Sequence, residues 1–349
     1  MIKDIKIKGF RGIRQGELNN TTLVNLLFGK NNCGKSSVLE ALFTFSNRKS
    51  PLLALRINDL RGITDNGRKG IALDFYNGET ENNIEFEANI VDSTHIKSII
   101  SLRDLKDKTV SLSEPLGIDG NEYELVYSTE KDGNFIGDVS YEFRKAAEED
   151  KYKVYQNTSG DIEGDEICAY VPPAYSLVQS LDAFRILIQE KREHSVVESL
   201  RTIEPRIKDI VLSGDDILVD VGKERRFPIN VLGDGVRKML AILLIINQCA
   251  GGMVLIDEVD NGFHFSAMEN LWKAILATAK QTNTQLFITT HNIDSLRGLN
   301  QVLMSDEYSG YRDDVSAYKL IKNLADELIT LKYDYPQFSY AIQQEIEIR

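Results

Sequence analysis

Gly29, Gly34, Lys35 and Ser36 occupy the fixed positions of G-x-x-x-x-G-K-[ST] within Leu26-Leu27-Phe28-Gly29-Lys30-Asn31-Asn32-Cys33-Gly34-Lys35-Ser36-Ser37. Phosphate binding needs these residue types. Glycines let the backbone curl so that successive N–H groups, through Asn31, Asn32, Cys33 and on to Ser37, point inward at phosphate oxygens. Lys35 neutralises the β- and γ-phosphates, and the Ser36 hydroxyl holds Mg²⁺. Cys33 inside the loop reads most simply as a small filler.

A second group of residues supplies the chemistry a phosphate cradle lacks. Met253-Val254-Leu255-Ile256-Asp257-Glu258 is an apolar strand ending in two acids, the Walker B pattern. A carboxylate at that strand end can orient Mg²⁺, which assigns Asp257 to the metal side. Glu258 then stands where it can orient or deprotonate the attacking water. Gln285-Leu286-Phe287-Ile288-Thr289-Thr290-His291-Asn292 is another buried strand with a polar tip. It follows an expected helix, Ala267 to Lys280, as a βαβ unit demands, so His291 falls on the same sheet edge as a γ-phosphate sensor. Leu232-Gly233-Asp234-Gly235-Val236-Arg237-Lys238 opens an apolar helix, Met239 to Cys249. Taken alone, that stretch fits an anion site or a plain helix start equally well.

The elements that must position these residues follow from periodicity. Thr22 to Phe28 reads as a buried strand, and Ser36 to Phe45 as a helix with Val38, Leu39, Ala41, Leu42 and Phe45 facing inward. Ile2, Ile5 and Ile7 mark a half-buried strand. Beyond about 47 the pattern turns to β: Ile71 to Phe75 and Ile84 to Ala88 alternate across Asn77-Gly78, predicting a hairpin. Residues 95–165 are poorer in apolar side chains, with short strands expected at Tyr123–Tyr127 and Tyr152–Tyr155, and read as an inserted lobe or arm. Ile167 to Val171 reads as a strand returning to the main sheet, stopped by Pro172-Pro173. Helices are expected over Ser176–Arg192 and His194–Arg201, then short strands at Ile210–Leu212, Ile217–Val221 and Phe227–Asn230. Asp313-Asp314 turns into a strand from Val315.

Composition limits the alternatives. With 349 residues and a net charge of −12, the chain is large enough for one or two domains and its overall charge does not advertise nucleic-acid binding. A local basic groove stays open, but none is displayed. Cysteines at 33, 168 and 249 are too scattered for a disulfide framework, so a reducing cytoplasm is the expected home. No stretch reaches the ~18 apolar residues of a membrane span, and no membrane partner is expected.

Together these pieces resemble the ATP-binding-cassette (ABC) branch of P-loop ATPases, and most closely soluble AAA ATPases of the overcoming-lysogenization-defect (OLD) type, including those of PARIS anti-phage systems. The matching text is Gly233-Asp234-Gly235 with Arg237, Leu255-Ile256-Asp257-Glu258-Val259-Asp260-Asn261-Gly262-Phe263-His264, and Thr289-Thr290-His291, with Glu345 to Arg349 like the ending of small standalone members. The resemblance implies an α/β fold: a P-loop NTPase head of the ABC type with a mixed β-sheet, an inserted β-rich and helical lobe, and a helical subdomain. It divides the chain into 1–46 (head with P-loop), 47–166 (inserted lobe), 167–300 (head with signature, Walker B and switch histidine) and 301–349 (a strand and helix tail).

The same resemblance implies ATP and Mg²⁺ as cofactors, and a head-to-tail homodimer or higher homo-oligomer. Gly233, Asp234, Gly235 and Arg237 would reach the partner copy's nucleotide, with Asp260 and Asn261 as a D-loop. Arg11 lies where related ATPases place a nucleotide-contacting arginine. Two departures stand out: Gly233 and Val236 replace the usual signature serine and glutamine, and no glutamine occurs between Phe45 and Tyr155 for a Q-loop. Asn58 or Asp59 is the available substitute, and slow or partner-dependent hydrolysis is the expectation. Only about 50 residues follow Gly298, too few for the TOPRIM nuclease domain of full OLD proteins, so a nuclease or toxin effector would be a separate protein. The implied function is an ATPase sensor or scaffold of an anti-phage defence system; the alternative is an ATP-gated, DNA-associated clamp in repair or recombination.

Overall fold

Ile2, Ile5, Ile7 and Phe10 lie on the buried side of β1 (Ile2–Phe10), which turns through Arg11-Gly12 into β2 (Ile13–Leu18) with Ile5 opposite Leu18 and Phe10 opposite Ile13. The structure, a computed structural model, describes the chain apart from residues 51, 64–66, 92, 106–121, 146–151, 163–166, 175–180 and 345–349. The ending 345–349 that carried part of the resemblance therefore lies outside the described residues. Strand β3 (Val24–Phe28) is buried throughout, and α1 (Lys35–Ser46) follows the glycine loop.

The hairpin expected across Asn77-Gly78 is not formed. After α1 the chain is helical, in α2 (Leu52–Leu60) and α3 (Arg68–Ala72). Ile71 is buried within α3 and Phe75 is buried beyond it, in an extended bridge to Phe10, whereas Leu73 at the helix end is half exposed, so the two-residue alternation is not that of a strand. Asn77 and Gly78 do take positive φ, but inside a short 3₁₀ turn. Strand β4 (Ile84–Ile90) pairs instead with β1 and with β5 (His95–Asp104). Strands β6 (Tyr123–Lys131), β7 (Asn134–Lys145) and β8 (Tyr152–Gly160) continue this antiparallel meander, longer than the short strands expected from the apolar count.

Strand β9 (Cys168–Val171) returns to the parallel part of the sheet, as expected. Helices α4 (Leu181–Gln189) and α5 (Glu193–Arg201), with a small sheet of β10 (Asp209–Ser213), β11 (Asp216–Asp220) and β12 (Phe227–Pro228), form a subdomain with its own core of Phe184, Leu187, Val196, Leu200 and Val219. Helix α6 (Asp234–Gln248) joins it to the main body. Leu240, Leu243 and Leu244 face the subdomain, while Ile242, Ile245 and Ile246 face the sheet. An apolar surface on all sides is what a helix buried between two cores requires.

The remaining elements are β13 (Met253–Ile256), α7 (Met268–Thr282), β14 (Gln285–Thr290), α8 (Ile293–Met304), β15 (Val315–Lys322), β16 (Glu327–Tyr333) and α9 (Tyr335–Gln343). Thirteen of the described strands form one mixed sheet, ordered β8-β7-β6-β5-β4-β1-β2-β16-β15-β3-β14-β13-β9. Its pattern is the expected α/β fold with a mixed sheet and a helical subdomain. Strand β3 shows how the two faces are filled: Leu27 joins the α1-side core, and Val24, Leu26 and Phe28 join the core under Trp272, Leu296 and Leu299.

Gln285 ties the two ends of the sequence together. Its side chain, 1% exposed, accepts from the Ile2 N–H (2.9 Å) and donates to the Ile2 carbonyl (2.8 Å) and the Thr22 carbonyl (3.1 Å). Gln285→Leu leaves the Ile2 N–H without its side-chain acceptor, while the two carbonyls keep Thr21 Oγ1 and Asn25 Nδ2, and is expected to destabilise the fold by about 1–3 kcal/mol, read as a lower urea midpoint at unchanged slope. A variant as stable as the wild type would contradict this role.

Candidate active site

Register places the site. Leu26 of β3 is level with Ile288 of β14, which is level with Ile256 of β13, and Phe28 is level with Thr290. The next residues out along each strand, Gly29, His291 and Asp257, therefore emerge on one edge of the sheet. That is the edge at which parallel α/β sheets bind ligands.

The loop after β3 is shaped by backbone conformations that glycine and asparagine tolerate. Gly29 has φ +146, Asn32 +62 and Gly34 +99. A Cβ at Gly29 would lie 2.5 Å from the Leu320 carbonyl oxygen, so no larger residue fits. Gly34 starts α1, whose first turn contains Lys35, Ser36 and Ser37. Lys35 Nζ donates to the carbonyls of Gly29 (2.8 Å) and Lys30 (3.0 Å), so the ammonium sits within the curl of the loop. Lys30, Asn31 and Asn32 are exposed and Cys33 is buried. Burial raises the Cys33 thiol, against the opposing charge of Lys35.

Asp257, 5% exposed, accepts from Thr289 Oγ1 (2.5 Å) and Tyr170 Oη (3.1 Å). Glu258 has φ +49 and a partly exposed carboxylate, with Oε1 3.7 Å from His291 Nδ1. Its N–H donates to Thr289 Oγ1 at 2.8 Å, and its carbonyl accepts from Lys238 Nζ at 2.8 Å. Asp260 is buried and accepts from Thr290 Oγ1 at 2.5 Å. Burial lowers Lys238 to about 8, with Asp260, Glu258 and Asp257 opposing. Thr289, Thr290 and Lys238 lie within stretches quoted above, but neither they nor Tyr170 has a role of its own assigned there. Their only sequence signal is two hydroxyls ending an otherwise apolar strand, a tyrosine in the returning strand, and a second cation after Arg237.

Gly233 is exposed at the start of α6, and Arg237 pairs with Asp234 one turn back. Gly235 packs against the segment after Walker B: a Cβ there would meet the Phe263 ring at 3.3 Å. The glycine loop thus leans on the Asp260–Phe263 turn of its own chain.

Arg11 is placed differently from the surface contact that the resemblance implies. Its guanidinium, 8% exposed, lies 3.1 Å from Glu40 Oε2, 3.0 Å from Asp74 Oδ1 and 2.8 Å from Asn58 Oδ1. Arg61 closes the cage by a two-pronged contact with Glu40, at 2.7 and 2.9 Å. Asn58, the substitute considered for the Q-loop glutamine, is one of the cage walls, whereas Asp59 is exposed. Burial raises Glu40 even with Arg11 and Arg61 beside it, and Asp257 adds to that rise. Asp74 is raised to about 6, burial outweighing Arg11 and Asn58.

The sign of that shift fixes a pH effect. A folded-state value above the usual 3.8 adds stability at low pH, and that stability is lost as pH climbs through about 6. Wild type should lose about 1 kcal/mol of unfolding free energy between about pH 5 and about pH 7 that Asp74→Asn keeps. Urea titrations of both proteins at the two pH values check this, and parallel slopes would refute it.

Comparison with known proteins agrees with this geometry. A family model described as "AAA domain, putative AbiEii toxin, Type IV TA system" matches residues 24–297. A Helicobacter pylori protein named ATP/GTP phosphatase is 23% identical over 343 residues, covering 88% of this chain and 90% of its own. An uncharacterised Methanocaldococcus jannaschii protein is 53% identical over 63 residues, 18% of this chain and 28% of that one. Among solved structures, an SMC head bound to the C-terminal winged-helix domain of ScpA superposes with a TM-score of 0.51 at 11% identity, over 95% of this chain and 97% of that one. That likeness establishes the P-loop ATPase fold. The family match runs from the P-loop strand past His291, and this chain belongs to that AAA-domain family, with an ATPase-type P-loop domain at its centre.

Proposed function

We propose that the chain binds and hydrolyses ATP as an OLD-like, ABC-type subunit of an anti-phage defence system, and that it controls a separate effector, a TOPRIM-like nuclease or a toxin. The observation that carries the ATPase part is the convergence of Lys35, Ser36, Asp257, Glu258 and His291 on one sheet edge. The defence part rests on the signature, Walker B and histidine motifs of the resemblance, and the toxin–antitoxin wording of the family description is in keeping with it. The head is read as residues 1–46 with 167–300, the stretch 47–166 as its inserted lobe, and 301–349 as a strand and helix tail.

The donors fit Mg²⁺ with a nucleotide. Each Asp257 oxygen takes one neutral hydroxyl, from Thr289 or Tyr170, which leaves lone pairs for a divalent cation or its waters. Ser36, in the first turn of α1, would supply a hydroxyl ligand. The cation would offset charge on the phosphates. Lys35 exchanges its two loop carbonyls for phosphate oxygens, and the Gly29–Ser37 amides hold the remaining charge. Glu258 orients water and takes its proton, and His291 donates to the terminal phosphate.

The glycine loop is assigned to the nucleotide of a second copy, through Gly233, Asp234, Gly235 and Arg237, with Asp260 and Asn261 crossing between heads. Support comes from Val231 and Phe265, exposed by 66% and 64% beside these two loops, where a monomer gains nothing from apolar surface. With Gly233 in place of the signature serine, no hydroxyl reaches across, so turnover is slow or waits on a partner. Arg11 joins the nucleotide only by leaving its carboxylate cage.

Glu258→Gln is expected to retain ATP, to accumulate as a dimer on size-exclusion chromatography, and to lose turnover by about 100-fold or more. Unchanged steady-state turnover would overturn the assignment. Affinity capture of that trapped form should bring down a TOPRIM-like or toxin protein; ATP-dependent binding of duplex DNA without such a protein would favour the clamp reading.

A further inference from the structure

Lys238 lies one turn inside α6, on the helix that starts with the glycine loop, yet its ammonium reaches the other half of the site in the same chain. Nζ donates to the Glu258 carbonyl at 2.8 Å. On the opposite side of the same residue, the Glu258 N–H donates to Thr289 Oγ1 at 2.8 Å, and Thr289 in turn donates to Asp257. Glu258 is thus held at both ends of its backbone, in a left-handed conformation with φ +49 that costs a glutamate about 1 kcal/mol or more. The hold from β14 is a hydroxyl. The hold from α6 is a half-buried cation facing three acids, Asp257, Glu258 and Asp260. A charged donor to a carbonyl in such a place is among the stronger hydrogen bonds available.

We infer that Lys238 is a positioning residue, which aims the Glu258 carboxylate by holding its carbonyl and so couples the glycine loop at the head of α6 to hydrolysis in the same chain. The inference rests on the reading of Glu258 as the residue that handles the attacking water. Lys238 draws its leverage from the rigidity of α6: the glycine loop, assigned above to the nucleotide of a second copy, and the lysine that grips Glu258 are a single turn apart at the same end of the helix. Engagement of Gly233–Gly235 across an interface therefore shifts the Lys238 contact directly. A misplacement of about 1 Å at Glu258 is enough to cost up to about 100-fold in rate.

The test uses the full chain as wild type, Lys238→Ala, Lys238→Arg, Glu258→Gln and the Lys238→Ala/Glu258→Gln double variant, with binding of a fluorescent ATP analogue and steady-state ATP turnover as readouts. Lys238→Ala should lower kcat by about tenfold or more while analogue affinity stays within about twofold. Lys238→Arg, which keeps a donor and a charge, should recover most of that loss. In the Glu258→Gln background Lys238→Ala should change the residual rate by less than about twofold, because the group it positions is already gone. The inference is overturned by wild-type kcat in Lys238→Ala, by failure of Lys238→Arg to rescue, or by an equal loss in both backgrounds. Should thermal melting show Lys238→Ala unfolded, Lys238→Met keeps the aliphatic stem and carries the same expectations. A Glu258→Gln protein as active as wild type would instead bring down the reading of Glu258 itself.

Discussion

The shared register of three buried parallel strands is the constraint on which the rest of this molecule depends. β3, β14 and β13 are fully buried, so their register cannot slip without moving every apolar side chain to the wrong core. That register brings Gly29, His291 and Asp257 out on one edge of the sheet. The hydroxyls of Thr289 and Thr290, at the tip of the middle strand, then reach sideways to Asp257 and Asp260. The chemistry is thus positioned by backbone pairing first and by hydrogen bonds second.

Electrostatics divides the acidic side chains into two populations. Around Lys238, Asp257 and Asp260 are buried against threonine hydroxyls while Glu258, beside His291, stays partly exposed. Around Arg11 they are sealed in, and two arginines are shared between Glu40 and Asp74. Burying an arginine with two carboxylates is expensive unless its hydrogen bonds are made; Asn58 adds one to the terminal nitrogens, whereas Arg11 Nε finds no acceptor among the described residues. The cage fastens α1, α2 and the turn after β1 to one another just behind the P-loop helix.

Much of this was legible from residue order. The P-loop, the returning strand, the Walker B and histidine strands, the glycine-started helix and the small three-stranded sheet all appear where periodicity placed them. Those segments are either continuously apolar or bounded by glycine and proline, and their signals are local. The stretch after α1 misled because Ile71, Leu73 and Phe75 fit a strand as well as a helix, and only burial tells Leu73 apart. The meander from β4 to β8 was understated because one face of each strand carries Ser, Thr and Glu. Arg11 could be picked out by sequence as notable, but its partners at 40, 58, 61 and 74 come from separate elements that no local pattern links.

The order of strands also has a consequence for how the molecule comes into being. β15 and β16, made from residues 315–333, are wedged between β3 and β2, which come from the first thirty residues. Tyr318 even reaches the carbonyls of Asn19 and Asn20. On the ribosome, the P-loop strand must therefore wait with both flanks unpaired until β14 and then β15 have been synthesised. Contacts so distant in sequence form slowly and leave apolar strand edges open in the meantime. Nucleotide can settle into a finished cradle only after that pairing, so the site matures once β15 has been made, long after its signature motif.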